Sequence, residues 1–348
     1  MKFKYHLSLA TLMLPLLGYA QTDLYVQDLN YMPKRGAIAY QGTLTSETNT
    51  TERRILDVGV IAHIEEEENE ASTRHILAFG LSDSLSVFAE TSYAFSNKSE
   101  VKEATVNGTE LDISESISNK GLKYVGVGLN WRFLEQNADK VNADLRFTTS
   151  SGLQKAQRGS FYDSDNDGNS DKTIDGNSAQ AAHDYTLTLA GGKKFEQFEI
   201  RGEISFLYSQ KGSFSSLRSN SDGSDLKVHQ DAYSGIAYKV GGQLRLNNNF
   251  FIYGNFIQTV VTKVKTSSTE ANGDKSESEM QPVFNLGIDL GAKVALIPNK
   301  FFAFGELHGD ATAERKIENT TNGQADNISD KMTKDTTGRI TVGLLASF

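Results

Sequence analysis

The sequence predicts an all-β protein, a transmembrane antiparallel up-and-down β-barrel of about twelve strands. Three observations support this fold class. Apolar and polar residues alternate with period two in segments of about ten residues from Gly36 onwards. These segments are joined alternately by tight turns and by long polar loops, which is typical of barrels with short periplasmic turns and long extracellular loops. The chain also begins with a secretory signal.

The first 20 residues have the parts of a signal peptide. Lys2 and Lys4 form a basic start, residues 7–17 are an apolar run, and small residues lead up to Ala20. We expect cleavage near Ala20 and export to the outer membrane of a Gram-negative bacterium. No later stretch reaches the roughly 18 consecutive apolar residues of a transmembrane helix. The predicted organisation is a signal peptide over 1–20, a periplasmic N-terminal segment over 21–34 and the barrel over 35–348.

Charge and cysteine usage exclude several classes of protein. The full chain has 35 basic and 44 acidic residues and a formal net charge of −9, which becomes more negative once Lys2 and Lys4 leave with the signal. This charge does not suit nucleic acid, whose binding depends on Lys and Arg neutralising phosphates. The chain has no cysteine, so disulfides, thiolate metal sites, a cysteine nucleophile and a lipoprotein anchor are excluded.

The alternation is clearest in residues 284–296. Leu286, Ile288 and Leu290 fall on one face of this segment, whereas Asp289 and Lys293 fall on the other. A charge inside a period-two repeat indicates a strand with one apolar and one polar face. The same pattern occurs in residues 125–133, 198–208 and 340–348.

The connections separate a membrane barrel from a soluble β-sandwich, which also has alternating strands. The predicted tight turns are 82–84, 135–139, 196–197, 247–249 and 298–300. The predicted long loops are 47–72, 98–120, 155–182, 211–230, 265–280 and 314–335. Strands between these connections number twelve and leave both termini on the periplasmic side. The apolar residues 55–64 are assigned to the first loop, with a strand extension as the alternative.

The C-terminus matches the signal by which barrel proteins are assembled. Phe348 ends a strand whose apolar face includes Ile340, Val342 and Leu344. We expect the barrel-assembly machinery to recognise Phe348, and outer-membrane lipid and lipopolysaccharide to surround the outward faces. Aromatic residues near the strand ends predict girdles at the two rims, with ordinary turn-flanking aromatics as the alternative. They are Tyr93, Phe95, Trp131, Phe133, Phe195, Phe198, Phe250, Phe251, Phe301 and Phe302.

One hairpin resembles a known family of outer-membrane channels. Residues 75–95 form a strand, a turn with the sequence Gly80-Leu-Ser-Asp-Ser-Leu85, and a second strand ending in aromatic residues. This stretch is similar to hairpins of the meta-pathway phenol-degradation family, in which the turn resembles Gly-Leu-Thr-Asp-Arg-Leu. The resemblance covers about a tenth of the chain. It implies a channel for small, including aromatic, solutes and carries no catalytic or binding residues over.

The alternation also predicts which charged residues face the interior. Both signs are present in similar numbers, so the interior is expected to be polar and hydrated without strong ion selectivity. The alternative is a salt-bridged plug that stabilises a narrow barrel. The predicted inward residues are Glu90, Arg132, Asp144, Arg146, Asp184, Glu199, Arg201, Glu203, Lys239, Arg245, Asp289, Lys293, Glu306, His308, Asp310 and Arg339.

Two acidic patterns have both a functional and an ordinary interpretation. One predicted strand carries three polar side chains at every second position, namely Glu306, His308 and Asp310. They could transfer protons, bind a metal ion or form a solvated interior face. The run 65–68 with Glu70 suits a cation-attracting vestibule or a solvated loop.

A third acidic pattern resembles the start of a calcium loop. Asp163, Asp165 and Asp167 precede a glycine, and Asp171 stands at the ninth position. Ile174 occupies the twelfth position, where that loop needs a bidentate Glu, and no flanking helices are predicted. The choice is between a weak structural calcium site and a polar surface loop. We expect no other cofactor.

Enzyme motifs are absent from the sequence. It has no Gly-x-Ser-x-Gly, His-Glu-x-x-His or phosphate loop, and no Asp-x-His pair of the kind that barrel proteases use. The predicted function is therefore a porin-like channel for passive or weakly selective passage of small solutes. The alternatives are a non-conducting surface barrel whose loops bind a partner and, third, a barrel hydrolase.

Overall fold

The computed structural model describes residues 32–57, 60–110, 115–137, 141–152, 155–162, 172–173, 176–179, 183–217, 225–269, 275–297, 300–325 and 329–348. The predicted signal peptide, residues 21–31 and the predicted calcium loop lie outside these residues. None of the residues that the structure describes belongs to a helix long and apolar enough to cross a membrane.

The described residues form 22 β-strands. They are β1 (Ile38–Asp57), β2 (Val60–Ser82), β3 (Leu85–Val106), β4 (Thr109–Glu110), β5 (Glu115–Leu134), β6 (Asn142–Gly152), β7 (Lys155–Tyr162), β8 (Lys172–Thr173), β9 (Gly176–Ala179), β10 (His183–Lys194), β11 (Phe198–Ser209), β12 (Gly212–Leu217), β13 (Asp225–Gln230), β14 (Tyr233–Arg245), β15 (Phe250–Val261), β16 (Val264–Thr269), β17 (Lys275–Met280), β18 (Val283–Ile297), β19 (Phe301–Thr312), β20 (Arg315–Thr321), β21 (Gln324–Ala325) and β22 (Ser329–Ser347).

Twelve of these strands close into one antiparallel barrel, as the sequence predicts. Their order around the wall is β1, β2, β3, β5, β6, β10, β11, β14, β15, β18, β19 and β22, and β22 pairs with β1. Closure pairs the backbone groups of every spanning strand on both sides. It therefore removes the sheet edges that lipid could not satisfy.

The outer surface of the barrel carries a belt of exposed apolar side chains. On β18 the outward residues Leu286, Ile288 and Leu290 are 41%, 54% and 60% exposed, whereas the inward Asp289 is fully buried. Similar exposed residues occur on the other spanning strands, among them Val127, Phe206, Val240 and Val342. An apolar outside and a polar inside is the arrangement of a barrel in lipid.

The aromatic residues near the strand ends divide between the two faces. Trp131, Phe133 and Phe195 are exposed on the outer surface, where a girdle is expected. Phe302 is instead buried, and a lysine ammonium group of the interior lies over its ring. The same lysine lies over the ring of Phe251. The prediction that Phe251 and Phe302 belong to a girdle is therefore wrong, because they occupy inward positions of β15 and β19.

The segments predicted as long loops are long, but strands occupy much of their described length. β1 and β2 are 20 and 23 residues long and stay paired from Ile38 to Asp57, so they continue well beyond the apolar belt. Residues 55–57 and 60–64 belong to these strands, which is the strand extension left open above. Further strands extend the wall on the same side, namely β7, β9, β12, β13, β16, β17 and β20. We call the described parts of the six predicted loops the extracellular extension.

Two turns of the extension have a local sequence cause. Asn107 and Asn322 have φ angles of 52° and 51°, and each precedes a glycine with φ of 78°. Two consecutive left-handed residues form the tight hairpin turn that suits the twist of paired strands, and Asn-Gly is the preferred pair. These turns join β3 to β4 and β20 to β21.

The residues before β1 lie against the end of β2. The carbonyl oxygens of Pro33 and Lys34 lie 2.4 Å and 2.0 Å from the position that a Cβ atom on Gly80 would occupy. Gly36 donates a backbone hydrogen bond to Gly80, and Gly80 donates one to Ala37. Gly80 is on the same face of β2 as the inward residues Ile76 and Ala78. Residues 32–37, which we call the N-terminal strap, thus pack inside the periplasmic end of the barrel.

Inward aromatic rings lie flat over glycines of the next strand. The ring of Tyr253 covers Gly291, with its Cζ atom 2.2 Å from the position of an added Cβ. Phe88 covers Gly128 in the same way, and Phe304 covers Gly343. These glycines leave room for the rings along the wall, which keeps them out of the middle of the barrel.

Candidate functional site: the charged barrel interior

The structure places the predicted inward residues on one continuous face. Most are buried, and Asp289, Arg146 and Lys293 have exposures of only 0%, 2% and 2%. Arg245 lies at the periplasmic end of the same face and is exposed. The buried set comprises Glu90, Asp144, Arg146, Glu199, Arg201, Glu203, Lys239, Asp289, Lys293, Asp310 and Arg339, and the side chains of Arg132, Glu306 and His308 are at most 9% exposed.

Ion pairs join neighbouring strands on one side of the interior. Arg132 of β5 donates from Nε to the Asp144 carboxylate of β6 at 2.8 Å. Arg74 of β2 binds Glu90 of β3 with both Nε and Nη2, at 3.2 Å and 2.5 Å. Arg132 reaches both oxygens of Asp144, which is the strongest geometry for such a pair, whereas both donors of Arg74 meet one oxygen of Glu90.

A shorter-range ion pair lies on β11, two strands along the wall from β6. Arg201 and Glu203 lie two residues apart on β11 and form an ion pair. Glu199 is buried on the same face of the strand. Alternate residues of a strand share a face, so β11 presents three charged groups in a column.

The densest network lies between β14 and β19. The His308 ring contacts Asp289 through Nδ1 at 2.7 Å and Asp310 through Nε2 at 2.8 Å. Lys239 lies 3.4 Å from the second oxygen of Asp289, and Asn285 donates to Asp310 at 2.9 Å. A ring with a carboxylate at each nitrogen is held in one orientation by both contacts. The network therefore ties three strands of the wall together.

Arg339 extends this network toward the extracellular extension. Its Nη2 lies 3.9 Å from Glu306 on β19, and its Nη1 lies 3.8 Å from Glu47 on β1. Glu47 stands at the base of the extension, where burial raises its pKa and the Arg339 guanidinium lowers it. The charged interior is thus continuous from the middle of the barrel into the extension.

The periplasmic end of the interior combines cations with aromatic rings. The Lys293 ammonium group lies 5.1 Å from the ring centroid of Phe251 and 5.2 Å from that of Phe302. The Arg245 guanidinium lies 5.6 Å from the centroid of Phe251. These distances are within the range of cation–π attraction. The rings partly compensate a buried lysine for its lost hydration.

The extension has an interior of its own that the alternation of apolar and polar residues does not predict. Arg53 donates from Nε to Asp330 at 2.7 Å, and both side chains are at most 5% exposed. Arg315 binds Asp335 at 2.8 Å, and burial raises the pKa of Asp335 while Arg315 lowers it. An apolar cluster lies beside these pairs, formed by Val261, Val264, Met280, Val283 and Met332.

Metal ligation finds no support among the residues that the structure describes. No group of three or more His, Asp or Glu side chains there is arranged to hold a metal ion. Asp163, Asp165, Asp167 and Asp171 lie outside the described residues, so the calcium site stays a prediction.

Comparisons with known proteins show likeness in fold. No family model and no curated protein matches the sequence. Similar solved structures include the outer membrane protease OmpT from Escherichia coli (TM-score 0.46, 10% identity, 92% of this chain and 100% of that chain) and an outer membrane channel from Pseudomonas putida F1 (0.45, 10%, 92% and 98%). A third is the translocator domain of the autotransporter NalP from Neisseria meningitidis (0.46, 11%, 90% and 90%).

The closed wall and the exposed apolar belt define the class of protein. The chain is an outer-membrane β-barrel protein. Outer-membrane channels are among the solved structures that resemble it in fold.

Proposed function

We propose that this barrel is a narrow outer-membrane channel that passes small solutes through a polar, mixed-charge interior. The observation that supports this proposal is that the ion pairs of the interior run along the barrel wall and do not cross its axis. Arg74–Glu90, Arg132–Asp144 and Arg339–Glu306 each join adjacent strands, so they follow the wall. Side chains held against the wall by their neighbours leave the axis of a barrel available to water and solute.

The burial of these charges sets the expected width of the path. Side chains that line a wide aqueous pore are accessible to water, whereas Asp289 and Lys293 are at most 2% exposed. We therefore propose a constriction between β14 and β19 rather than an open porin. Carboxylates and cations alternate there, so only weak ion selectivity follows.

Thiol accessibility tests whether the interior is aqueous. The chain has no cysteine, so a single introduced cysteine reports on its own position. In the barrel reconstituted in liposomes, Thr43→Cys on the inward face of β1 should react with a membrane-impermeant thiol reagent. The next residue, Leu44, faces lipid in the apolar belt. Leu44→Cys is therefore the matched control, and we expect it not to react. Equal protection of both cysteines would argue for a solid interior.

A second candidate function rests on the extracellular extension. β1, β2 and β3 continue far beyond the apolar belt as paired strands, which presents a structured surface outside the cell. A non-conducting barrel whose extension binds a partner would use this surface. Shortening the extension would then abolish a cell-surface phenotype without changing permeability, whereas the channel function predicts a change in permeability.

A catalytic function is disfavoured by the surroundings of the one histidine in the dense network. Both ring nitrogens of His308 face carboxylates, and its side chain is 6% exposed. A general base needs a free nitrogen within reach of the substrate. Loss of a hydrolytic activity on His308→Ala would overturn this assignment.

Export and assembly complete the proposal. Signal cleavage near Ala20 would release the mature chain, and the outward belt would contact lipid and lipopolysaccharide. Phe348 is 80% exposed at the end of β22, where the assembly machinery could bind it. Deletion of Phe348 should lower the amount of folded barrel in the outer membrane.

We also propose that the 163–171 loop is a weak calcium site. Calcium should then raise the thermal stability of the unchanged chain more than that of Asp165→Asn.

A further inference from the structure

A column of carboxylates lines the interior of the extracellular extension. Glu66, Glu68 and Glu70 alternate along β2 and share the face that carries the inward Ser72. Glu47 and Asn49 of β1 are the cross-strand partners of Glu70 and Glu68. Directly opposed residues of an antiparallel pair have Cβ atoms about 5 Å apart, so these side chains form one group.

The two central carboxylates of this column differ in their partners. Glu70 binds the Lys123 ammonium with both oxygens, at 2.5 Å and 2.6 Å. Glu68 accepts a hydrogen bond from the Asn97 amide at 2.6 Å, and the same amide lies 3.2 Å from Glu70. Lys123 thus neutralises Glu70, whereas the donor to Glu68 is a neutral group.

The cross-strand partner of Glu68 presents an acceptor rather than a donor. The side-chain oxygen of Asn49 is buried, and no donor reaches it among the residues that the structure describes. A buried acceptor without a donor costs free energy, so native structures rarely leave one unpaired. A protonated Glu68 carboxyl is the group placed to supply the missing hydrogen.

We propose that Glu68 is a proton-switched carboxyl that sets the charge of the channel's extracellular vestibule. Protonated, it donates its hydroxyl to the Asn49 oxygen; ionised, it adds a negative charge to the column. This inference rests on the proposed channel function for its effect on ions, but the protonation of Glu68 can be tested without it.

The titration of Glu68 is expected near neutral pH. Burial raises its pKa to about 7, the Asn97 hydrogen bond lowers it, and the neighbouring Glu70 raises it. The charged groups that face it are Glu47 from β1, Glu66 and Glu70 from β2, and Lys123 from β5. Below this pH Glu68 is neutral, and above it the vestibule gains one negative charge that attracts cations.

Ion selectivity measures the effect of this charge. The cation-to-anion permeability ratio of the reconstituted barrel should rise about fourfold between about pH 6 and about pH 8, because one unit charge roughly 8 Å from the ion path in water raises cation permeability about twofold and lowers anion permeability by a similar factor. Glu68→Gln should remove this rise. Glu67→Gln is the matched control, because Glu67 is on the opposite face of β2, where it contacts Asn69 and Lys102. Its pH dependence should equal that of the unchanged chain.

A spectroscopic titration separates this proposal from the channel function. Carboxyl ¹³C resonances of the labelled barrel in detergent should include one that titrates near neutral pH and disappears in Glu68→Gln while remaining in Glu67→Gln. A Glu68 resonance that titrates in the ordinary range, near 4.5, would overturn the proposal even if the barrel conducts. If the Glu68 resonance titrates near neutral pH in a barrel that shows no conductance, the result would support the proton switch at Glu68 and contradict only the proposed channel function.

Discussion

Two ion pairs connect the same two strands, β1 and β22, and differ in burial. Arg53–Asp330 is almost fully buried, whereas the side chains of Lys334 and Glu52 are 47% and 25% exposed. We expect Asp330→Ala to destabilise the barrel by about 3–5 kcal/mol, because it leaves the Arg53 charge buried without its partner. The free energy of unfolding in urea, measured for the barrel folded in lipid vesicles, gives this value.

Glu52→Ala is the control for this prediction. An exposed ion pair contributes about 0–1 kcal/mol, so this variant should unfold almost as the unchanged chain does. Equal losses of stability in the two variants would contradict the assignment of Arg53 and Asp330 to the interior of the extension.

The glycines beneath the inward aromatic rings allow a second residue-scale prediction. A Cβ on Gly291 would lie 2.2 Å from the Tyr253 ring and 2.7 Å from the Gly305 carbonyl oxygen, so Gly291→Ala forces both to move. We expect a loss of about 1–3 kcal/mol, as for other overpacked sites. Gly305→Ala on the paired strand meets nothing within 4 Å and should be nearly neutral in the same unfolding assay.

At the residue scale, the sequence could predict burial but not pairing. Period two assigns Asp289 and His308 to the interior because each lies between outward apolar residues. Their contact depends on the register between β18 and β19, which places Asp289 directly opposite His308. No local pattern in either strand encodes that register, so the network between β14 and β19 could not be derived.

At the scale of elements, the spanning strands were predictable and the extension was not. Lipid requires an apolar outward face, so the alternation inside the belt is strong. Beyond the belt, β2 continues through residues 65–70 with polar side chains on both faces, and such a strand has no alternation to detect. Asn107-Gly108 and Asn322-Gly323 were the available signal for hairpins in the predicted loops.

The N-terminal strap provides a prediction for one element. Gly80→Val places a side chain where the carbonyl oxygens of Pro33 and Lys34 lie, so it should displace the strap from the end of β2. We expect faster tryptic cleavage after Lys34 or Arg35 in the folded barrel, measured by mass spectrometry. Gly309→Val, at a position with nothing within 4 Å, is the control and should leave the cleavage rate unchanged. An unchanged rate in Gly80→Val would show that the strap does not depend on this contact.

At the scale of the whole molecule, one closed wall serves two environments. In the membrane it has an apolar outside and a charged inside, and in the extension its interior holds buried ion pairs beside an apolar cluster. The first arrangement follows from the requirement that lipid imposes on each strand and was therefore visible in the sequence. The second depends on contacts between distant segments, such as β1 with β22, and became visible only in the folded chain.

Single-channel recording in a planar bilayer tests whether the charged interior encloses a path for small solutes. The refolded mature protein should give discrete openings. Lys239→Gln, which removes the cation beside Asp289, should move the ion preference toward cations, whereas Lys316→Gln at an exposed pair with Glu318 should not. A barrel that is correctly folded but silent at all applied voltages would show that the interior holds no such path.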